Sequence, residues 1–292
     1  MKKKVKTRKK ITLQSVIMYI LLILTALMFA TPMLFTLLSS IKTKVEIFAK
    51  PFSWPEVPQW SNYVEAWTSA NMSHYFLNSL IQAGATVIVL AIVSTMAAYV
   101  LSRFDFKCNK FLLLFFMLGM MVPVHTVLVP VSYIIGALNL KNNIPALVMI
   151  YVAFSLPFSI LVVTNFMKGV NRSLEEAALI DGATYFQIYK NVMLPMTVPA
   201  ISTISIFNFL GAWNNILFPL LFINDKNLKP IALGLLNFNG ERGSDYGPLM
   251  AAIVITVAVP LVIYLLFQEK VEGGLAAGAV KDNRYSMRRR QK

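Results

Sequence analysis

Between Val16 and Phe267 the chain holds six apolar runs that contain no Asp, Glu, Lys or Arg: Val16–Leu38, Tyr75–Leu101, Phe111–Ala137, Ile144–Met167, Met196–Phe222 and Pro248–Phe267. Each is long enough to cross the hydrocarbon core of a bilayer, which takes about 20 residues as a helix. In hydrocarbon every backbone N–H and C=O must be paired within the protein, so such runs fold as helices. The expected fold class is therefore an all-α integral membrane protein with six transmembrane helices. Composition agrees: 57% of the 292 residues are hydrophobic and mean hydropathy is +0.64, too apolar for a soluble domain of this size.

Lys and Arg set the orientation. With the first residues inside, the inner segments 1–10, 102–110, 168–195 and 268–292 carry seven, three, three and seven basic residues. The outer segments 39–74, 138–143 and 223–247 carry three, one and three. Positive charge concentrates on the cytoplasmic side, so both termini are expected there. The chain then divides into a basic cytoplasmic N-terminus (1–10), a six-span domain (11–270) and a cytoplasmic C-terminal tail (271–292). MKKKVKTRKK resembles the charged region of a signal peptide. The apolar run after it, 11–38, far exceeds the roughly 7–15 residues of a cleavable signal, so a retained first span is expected. A net charge of +14 on its own suggests nucleic acid. Its concentration at the ends and in short loops reads as topology instead, and no nucleic-acid partner is expected.

Every run but the second carries proline: Pro32, Pro123, Pro130, Pro157, Pro199, Pro219 and Pro260. Proline removes a helix hydrogen bond and kinks the axis. A kinked bundle follows, whether around a pathway or through ordinary packing. There is no G-x-x-x-x-G-K-[ST], H-E-x-x-H or G-x-S-x-G motif, so the chain brings no P-loop for ATP, no zinc-protease helix and no nucleophile elbow. A proton-coupled carrier keeps a carboxylate or histidine relay in the membrane. The six runs offer only His125, in MMVPVHTVLVP. Without an acidic partner it reads first as a bundle-facing histidine and second as a pathway residue. The single cysteine, Cys108, allows no intrachain disulfide and no thiolate cluster. No catalytic residue, metal site or cofactor is expected on this chain. If it moves a solute uphill, the energy enters through another subunit.

The inner segment between the fourth and fifth runs is unusually structured for a loop. Ser173-Leu-Glu-Glu176 has the form of a capping box, with Glu175 and Glu176 at the positive end of a helix reaching about Ile180. Gly182 supplies a sharp exit. Thr184-x-x-Gln187 repeats the capping form and starts a second short helix, whose Tyr185, Ile188, Tyr189 and Val192 share a face. Pro195 closes the unit. An apolar face here can lie on the membrane, pack under its own bundle or enter a partner's groove. With only Lys190 in the two helices, the membrane option is the weakest.

Glu176-Ala177-Ala178, three residues, Gly182, nine residues, Val192, one residue and Leu194-Pro195 resemble the EAA loop of ABC-importer permeases, EAA-x3-G-x9-I-x-LP. The one departure is Val192 for isoleucine. Asp181-Gly182-Ala183 also resembles the family's turn. The resemblance runs along nearly the whole chain and is closest to carbohydrate-importer permeases of the maltose and multiple-sugar type, in the shorter second member of the permease pair. It includes Phe76–Leu80, Tyr99–Phe106, Met121–Pro130, Leu156–Phe158, Trp213-Asn214 and Gly274–Lys281. Where this chain has His125, the family commonly has glutamine.

The resemblance implies a permease in the bacterial cell membrane that forms half of a pathway for a sugar or oligosaccharide. Its implied partners are a second homologous permease, an ABC ATPase dimer that holds ATP and Mg, an extracytoplasmic solute-binding protein and membrane lipid. It makes 168–195 a cytoplasmic coupling loop, with Glu176, Ala177, Ala178, Asp181, Gly182, Ala183, Leu194 and Pro195 coupling to the ATPase. His125, Asn208, Trp213, Asn214 and Asn215 are candidates for the sugar path. The last four were expected within one apolar helix, where each amide can also bridge helices and Trp213 can also anchor at the interface. Outer segments around Trp54, Pro55, Pro58 and Trp60, and at Gly240–Gly247, are candidates for the binding protein, and the tail from Arg284 for ATPase or anionic lipid. An importer permease for another solute, such as a glycerol phosphodiester, is the alternative. An anionic solute calls for Arg or Lys near the path, and the runs have none. A membrane-embedded enzyme would need clustered catalytic groups at span ends, and an ATPase-free channel or scaffold leaves the paired helices without a purpose.

Overall fold

The computed structural model describes residues 13–68, 71–240 and 243–289. They form two compact units.

The first unit takes in residues up to 70 together with 238–255. Helix α1 (Leu13–Ser39) is apolar along its length, and none of its most apolar stretch is buried. Its three threonines return their hydroxyls to the carbonyls of Leu21, Leu27 and Pro32, four residues back, at 2.7–2.8 Å. That pairs the threonine hydroxyls within the helix, on a surface suited to hydrocarbon. Helix α2 (Lys44–Ala49) starts at a capping box: the Thr43 amide donates to Glu46 and the Glu46 amide to Thr43 Oγ1. Helix α3 (Ser61–Thr68) follows. Lys42 is fully buried, and its ammonium donates to the carbonyls of Lys50 and Pro51 at 2.8 and 2.9 Å. Desolvation lowers its pKa. Asn62 donates to the carbonyls of Ser40 and Lys42. These contacts fold the segment after α1 back on itself. A two-residue antiparallel ladder, β1 (Asn239–Gly240) with β2 (Gly243–Ser244), completes the unit.

The second unit holds α4 (Met72–Arg103), α5 (Asn109–Met121), α6 (Leu128–Ala137), α7 (Ile144–Met167), α8 (Ser173–Ile180), α9 (Tyr185–Ile188), α10 (Leu194–Met196), α11 (Val198–Trp213), α12 (Leu217–Phe222) and α13 (Ile231–Gly234). Helix α14 (Tyr246–Arg289) supplies its remainder from Thr256 onward. Helices α4 and α7 form the spine, and they meet at three levels. Ala83 joins Leu147 and Tyr151. Leu90 joins Val148 and Val152. Ala98 and Tyr99 join Val163 and Met167. Asn143 caps α7 by accepting the Ala146 amide at 2.9 Å.

Four of the six expected spans are single helices: α1, α4, α7 and the Tyr246–Gln268 part of α14. The third and fifth are not. Residues Asn109–Met121 and Val124–Ala137 meet at 89°, and Tyr185–Met196 and Val198–Trp213 at 72°. At the first bend Val122 and Pro123 are both extended, as a proline and the residue before it favour. The fifth run breaks again after Trp213, so Asn214 and Asn215 lie outside α11 and do not share its helix with Asn208 and Trp213. Asn215 instead caps α12, accepting the Phe218 amide at 3.1 Å.

The Phe76–Leu80 motif has a clear structural task. Asn78 donates to the carbonyls of Asn227 and Lys229, and Ser79 accepts the Ile231 amide at 2.7 Å. Gly234 completes this fastening, because a Cβ there would lie 2.2 Å from the Tyr75 ring. Residues 1–12 and Glu241-Arg242, and with them the whole basic N-terminus and part of the 240–247 segment, lie outside the described residues. Within Gly274–Lys281 only the backbone, part of α14, is described.

Candidate functional site

The segment after α7 folds as two short helices, of which one closes by a Schellman turn and the other opens by a capping box. Helix α8 ends where the Gly182 amide donates to Leu179 and the Ala183 amide to Ala178. That pairing satisfies two helix-end carbonyls and requires a left-handed residue, supplied by Gly182 at φ +80°. Thr184 then opens α9 as the sequence leads one to expect. Its amide donates to Gln187 Oε1 at 2.7 Å, and the Gln187 amide donates to Thr184 Oγ1 at 3.3 Å. A π-helical turn, Tyr189–Met193, carries the chain into Leu194-Pro195. Such a widened turn accommodates the amide that proline lacks.

The Ser173 capping box does not form. Asn171 instead accepts the Ser173 amide at 3.2 Å, an Asx turn at the entry to α8. Glu175 leaves the cap as well, turning inward to pair with Arg103 at the end of α4. Both side chains are largely buried, 6% and 12% exposed. Arg103 also donates to the Val170 carbonyl at 3.1 Å and reaches Met193 Sδ. One guanidinium thus joins α4 to the segment before α8, to α8 itself and to the end of the loop. Burial raises the Glu175 carboxyl above its usual range, against the pull of Arg103 and Arg172.

The apolar face of α9 packs under its own bundle. Ile188 and Met193 are buried with Ala98, Tyr99, Val163, Met167 and Ile204, and Ala178, Ala183, Tyr189 and Val192 lean on that cluster. The Tyr189 hydroxyl meets Thr95 Oγ1 at 2.8 Å. Tyr185 lies edge-on to Phe104. What faces away from the bundle is a different set: Glu176, Ala177, Leu179, Ile180, Asp181, Gly182 and Phe186 are exposed. Ile180 and Phe186 are 86% and 65% exposed, unusual for large apolar side chains on a tightly closed turn. Leu194 is half-buried and Pro195 exposed.

The expected path residues separate into two groups. Asn208 is buried and donates to Ser159 Oγ at 2.9 Å, bridging α11 to α7. Trp213 is fully buried, donates from Nε1 to the Thr256 carbonyl at 3.1 Å and packs against Phe76 and Phe209. It sits in the packed interior rather than at an interface. His125 and Asn214 are exposed and Asn215 half-buried, each at a break in a bent span. Both breaks border one cluster, in which Val124 packs with Ala212 and Phe218. Phe76–Leu80 and Tyr99–Phe106 stand among the sequence matches, but the sequence reading assigns no role to Asn78, Ser79 or Arg103, nor to Asn171. A cation ending an apolar run was the available signal for Arg103, but its partners lie 67 to 90 residues away.

The profile of binding-protein-dependent transport system inner membrane components matches residues 88–276. The chain is 37% identical over 267 residues to the diacetylchitobiose uptake system permease protein NgcG of Streptomyces coelicolor, covering 91% of this chain and 88% of that one. It is 35% identical to the probable ABC transporter permease protein YurM of Bacillus subtilis, over 94% and 92% of the two chains. Its fold is similar to a chain from the crystal structure of a bacterial ABC transporter involved in the import of the acidic polysaccharide alginate. There the TM-score is 0.81 at 19% identity, covering 91% of this chain and 99% of that chain. With two-thirds of its length inside the family profile and relatives matched nearly end to end, the chain belongs to the family of binding-protein-dependent transport system inner membrane components, multi-pass proteins of the inner membrane.

Proposed function

We propose that the chain is the half-pore permease of an ATP-driven importer for a sugar or oligosaccharide delivered by an extracytoplasmic binding protein. The carrying observation is the closed turn at Gly182. It offers Glu176, Ala177, Leu179, Ile180, Asp181 and Phe186 outward, while Arg103 holds its base to α4. A stiff element with exposed apolar tips and a rigid tie to a spanning helix suits a lever seated in a partner's groove. The partner is an ABC ATPase that carries ATP and Mg. Closure of the ATPase pair would move α4 through Arg103 and rock the bundle against a second permease. Ala178, Ala183, Leu194 and Pro195 act from beneath, by holding the lever's shape. The distribution of basic residues supports a cytoplasmic position for this loop and both termini.

Carbohydrate is supported by the relatives' own names: multiple sugar-binding, starch degradation products and alpha-glucoside systems among them. The absence of Arg and Lys from the six runs favours an uncharged solute over a glycerol phosphodiester. His125, Asn214 and Asn215, polar groups at the breaks of the two bent spans, are the side chains offered to it. Asn208 and Trp213 hold the surrounding helices.

The test is a gentle detergent purification of the tagged chain, wild type and Gly182→Pro, with partners identified by mass spectrometry. Proline cannot adopt φ +80° and removes the amide given to Leu179. The expected result is an ATPase and a second permease with the wild type, and loss of the ATPase alone with the variant. An ATPase that stays bound to the variant overturns the coupling role.

A further inference from the structure

A cleft of about 770 Å³ opens where α4 ends and α5 begins. Lys107, Lys110, Lys168 and Arg172 line it, together with the Arg103 already engaged by Glu175. Asp105 is the one carboxylate in the lining. These four cations are exposed and make no ion pair among the described residues, although Arg172 also acts on Glu175. Cys108, the residue before α5, makes no side-chain cap, so the positive end of that 13-residue helix faces the same region. The other wall is apolar: Leu101, Phe106 and Leu113. One turn along α5 from Lys110, Leu114 begins a stripe of exposed side chains with Phe111, Phe115 and Leu118, at helical spacing.

We propose that this cleft binds an anionic phospholipid, with the phosphate headgroup among Lys107, Lys110, Lys168 and Arg172 and the acyl chains along the α5 stripe. A soluble anion would use the cations and leave the stripe idle; an acidic protein surface would do the same. Only an amphipathic anion uses both walls at once, and the site lies where charged segments 102–110 and 168–172 meet the apolar runs, the level at which headgroups sit. The inference goes beyond the coupling role: Lys168 and Arg172 begin the 168–195 segment, but lipid binding needs the membrane boundary and not the ATPase.

The experiment uses the assembled importer in mild detergent, with retained phosphatidylglycerol and phosphatidylcholine counted by native mass spectrometry. Wild type is expected to retain phosphatidylglycerol selectively. Removing Lys107, Lys110 and Lys168 together (K107Q/K110Q/K168Q) should weaken retention roughly 100-fold, about fivefold per headgroup cation. A control without Lys141, Lys226 and Lys229 (K141Q/K226Q/K229Q) should retain it, and both variants should unfold at the wild-type temperature in lipid-free detergent. Unchanged retention in the first variant overturns the site. Displacement of the lipid by millimolar inorganic phosphate would show a simple anion site instead. Retention by the separated permease pair but not by the ATPase-bound complex would assign the cleft to a protein contact. Either result overturns the lipid assignment.

Discussion

A Cβ added to Gly182 would meet nothing within 4 Å, so the turn needs glycine for its backbone angle and not for space. Gly182→Ala should therefore fold and lose about 1 kcal/mol, the cost of a left-handed alanine. The thermal unfolding midpoint in detergent checks it; no loss, or a loss of several kcal/mol, would contradict the conformational account. Glu175 makes a second prediction. Its carboxyl has a raised pKa, so the folded chain holds that proton more tightly than the unfolded chain does. Stability then falls as pH rises from about 4, the unfolded value, through the raised value, and is flat above it. Glu175→Gln should flatten that fall in a midpoint-against-pH series. Arg103→Ala should steepen it and, by leaving a mostly buried carboxylate alone, cost about 3 kcal/mol. The double variant should cost clearly less than the two single losses together; simple additivity would mean the pair is not coupled.

The short helices show where a sequence pattern reports its own structure and where a stronger local partner overrides it. Thr184-x-x-Gln187 and Ser173-x-x-Glu176 look equivalent in the sequence. Only the first forms a capping box, because Asn171 accepts the Ser173 amide that the Glu176 side chain would otherwise take. Thr184→Ala and Asn171→Ala should each lower stability by about 1 kcal/mol, while Ser173→Ala should be near neutral. Equal losses at Ser173 and Asn171 would restore the capping box. The apolar runs were legible because a bilayer leaves a 20-residue apolar segment few alternatives. Their breaks were only half legible. Prolines marked Pro123 and Pro199, but nothing local announces that the chain bends by 89° and 72° there, or that Asn214 and Asn215 leave the helix. The break after Trp213 borders the cluster of Ala212, Tyr151 and Phe218, which joins it to α7, distant in sequence.

Sidedness joins these local devices into one machine, because an ATPase can seat on the loop only if Gly182 faces the cytoplasm. The chain carries its own probe for this: Cys108 is its single cysteine, exposed, between α4 and α5. A membrane-impermeant maleimide should modify it in inverted vesicles and leave it untouched in spheroplasts, as read by the mass of this chain. In a Cys108→Ser background, Lys141→Cys, exposed in the connection between α6 and α7, should react from the opposite side. The two positions are separated by a single bent span, α5 with α6, so opposite reactivity requires that the 89° elbow cross the membrane rather than turn back. Labelling of both from the same side would make that elbow a re-entrant loop. Five crossings would then remain, and Gly182 and the C-terminus would both move to the face opposite Cys108, which would remove the cytoplasmic face that Cys108 and Gly182 share. Labelling of Cys108 from outside alone would invert the chain and remove the loop from any cytoplasmic ATPase, whatever its shape.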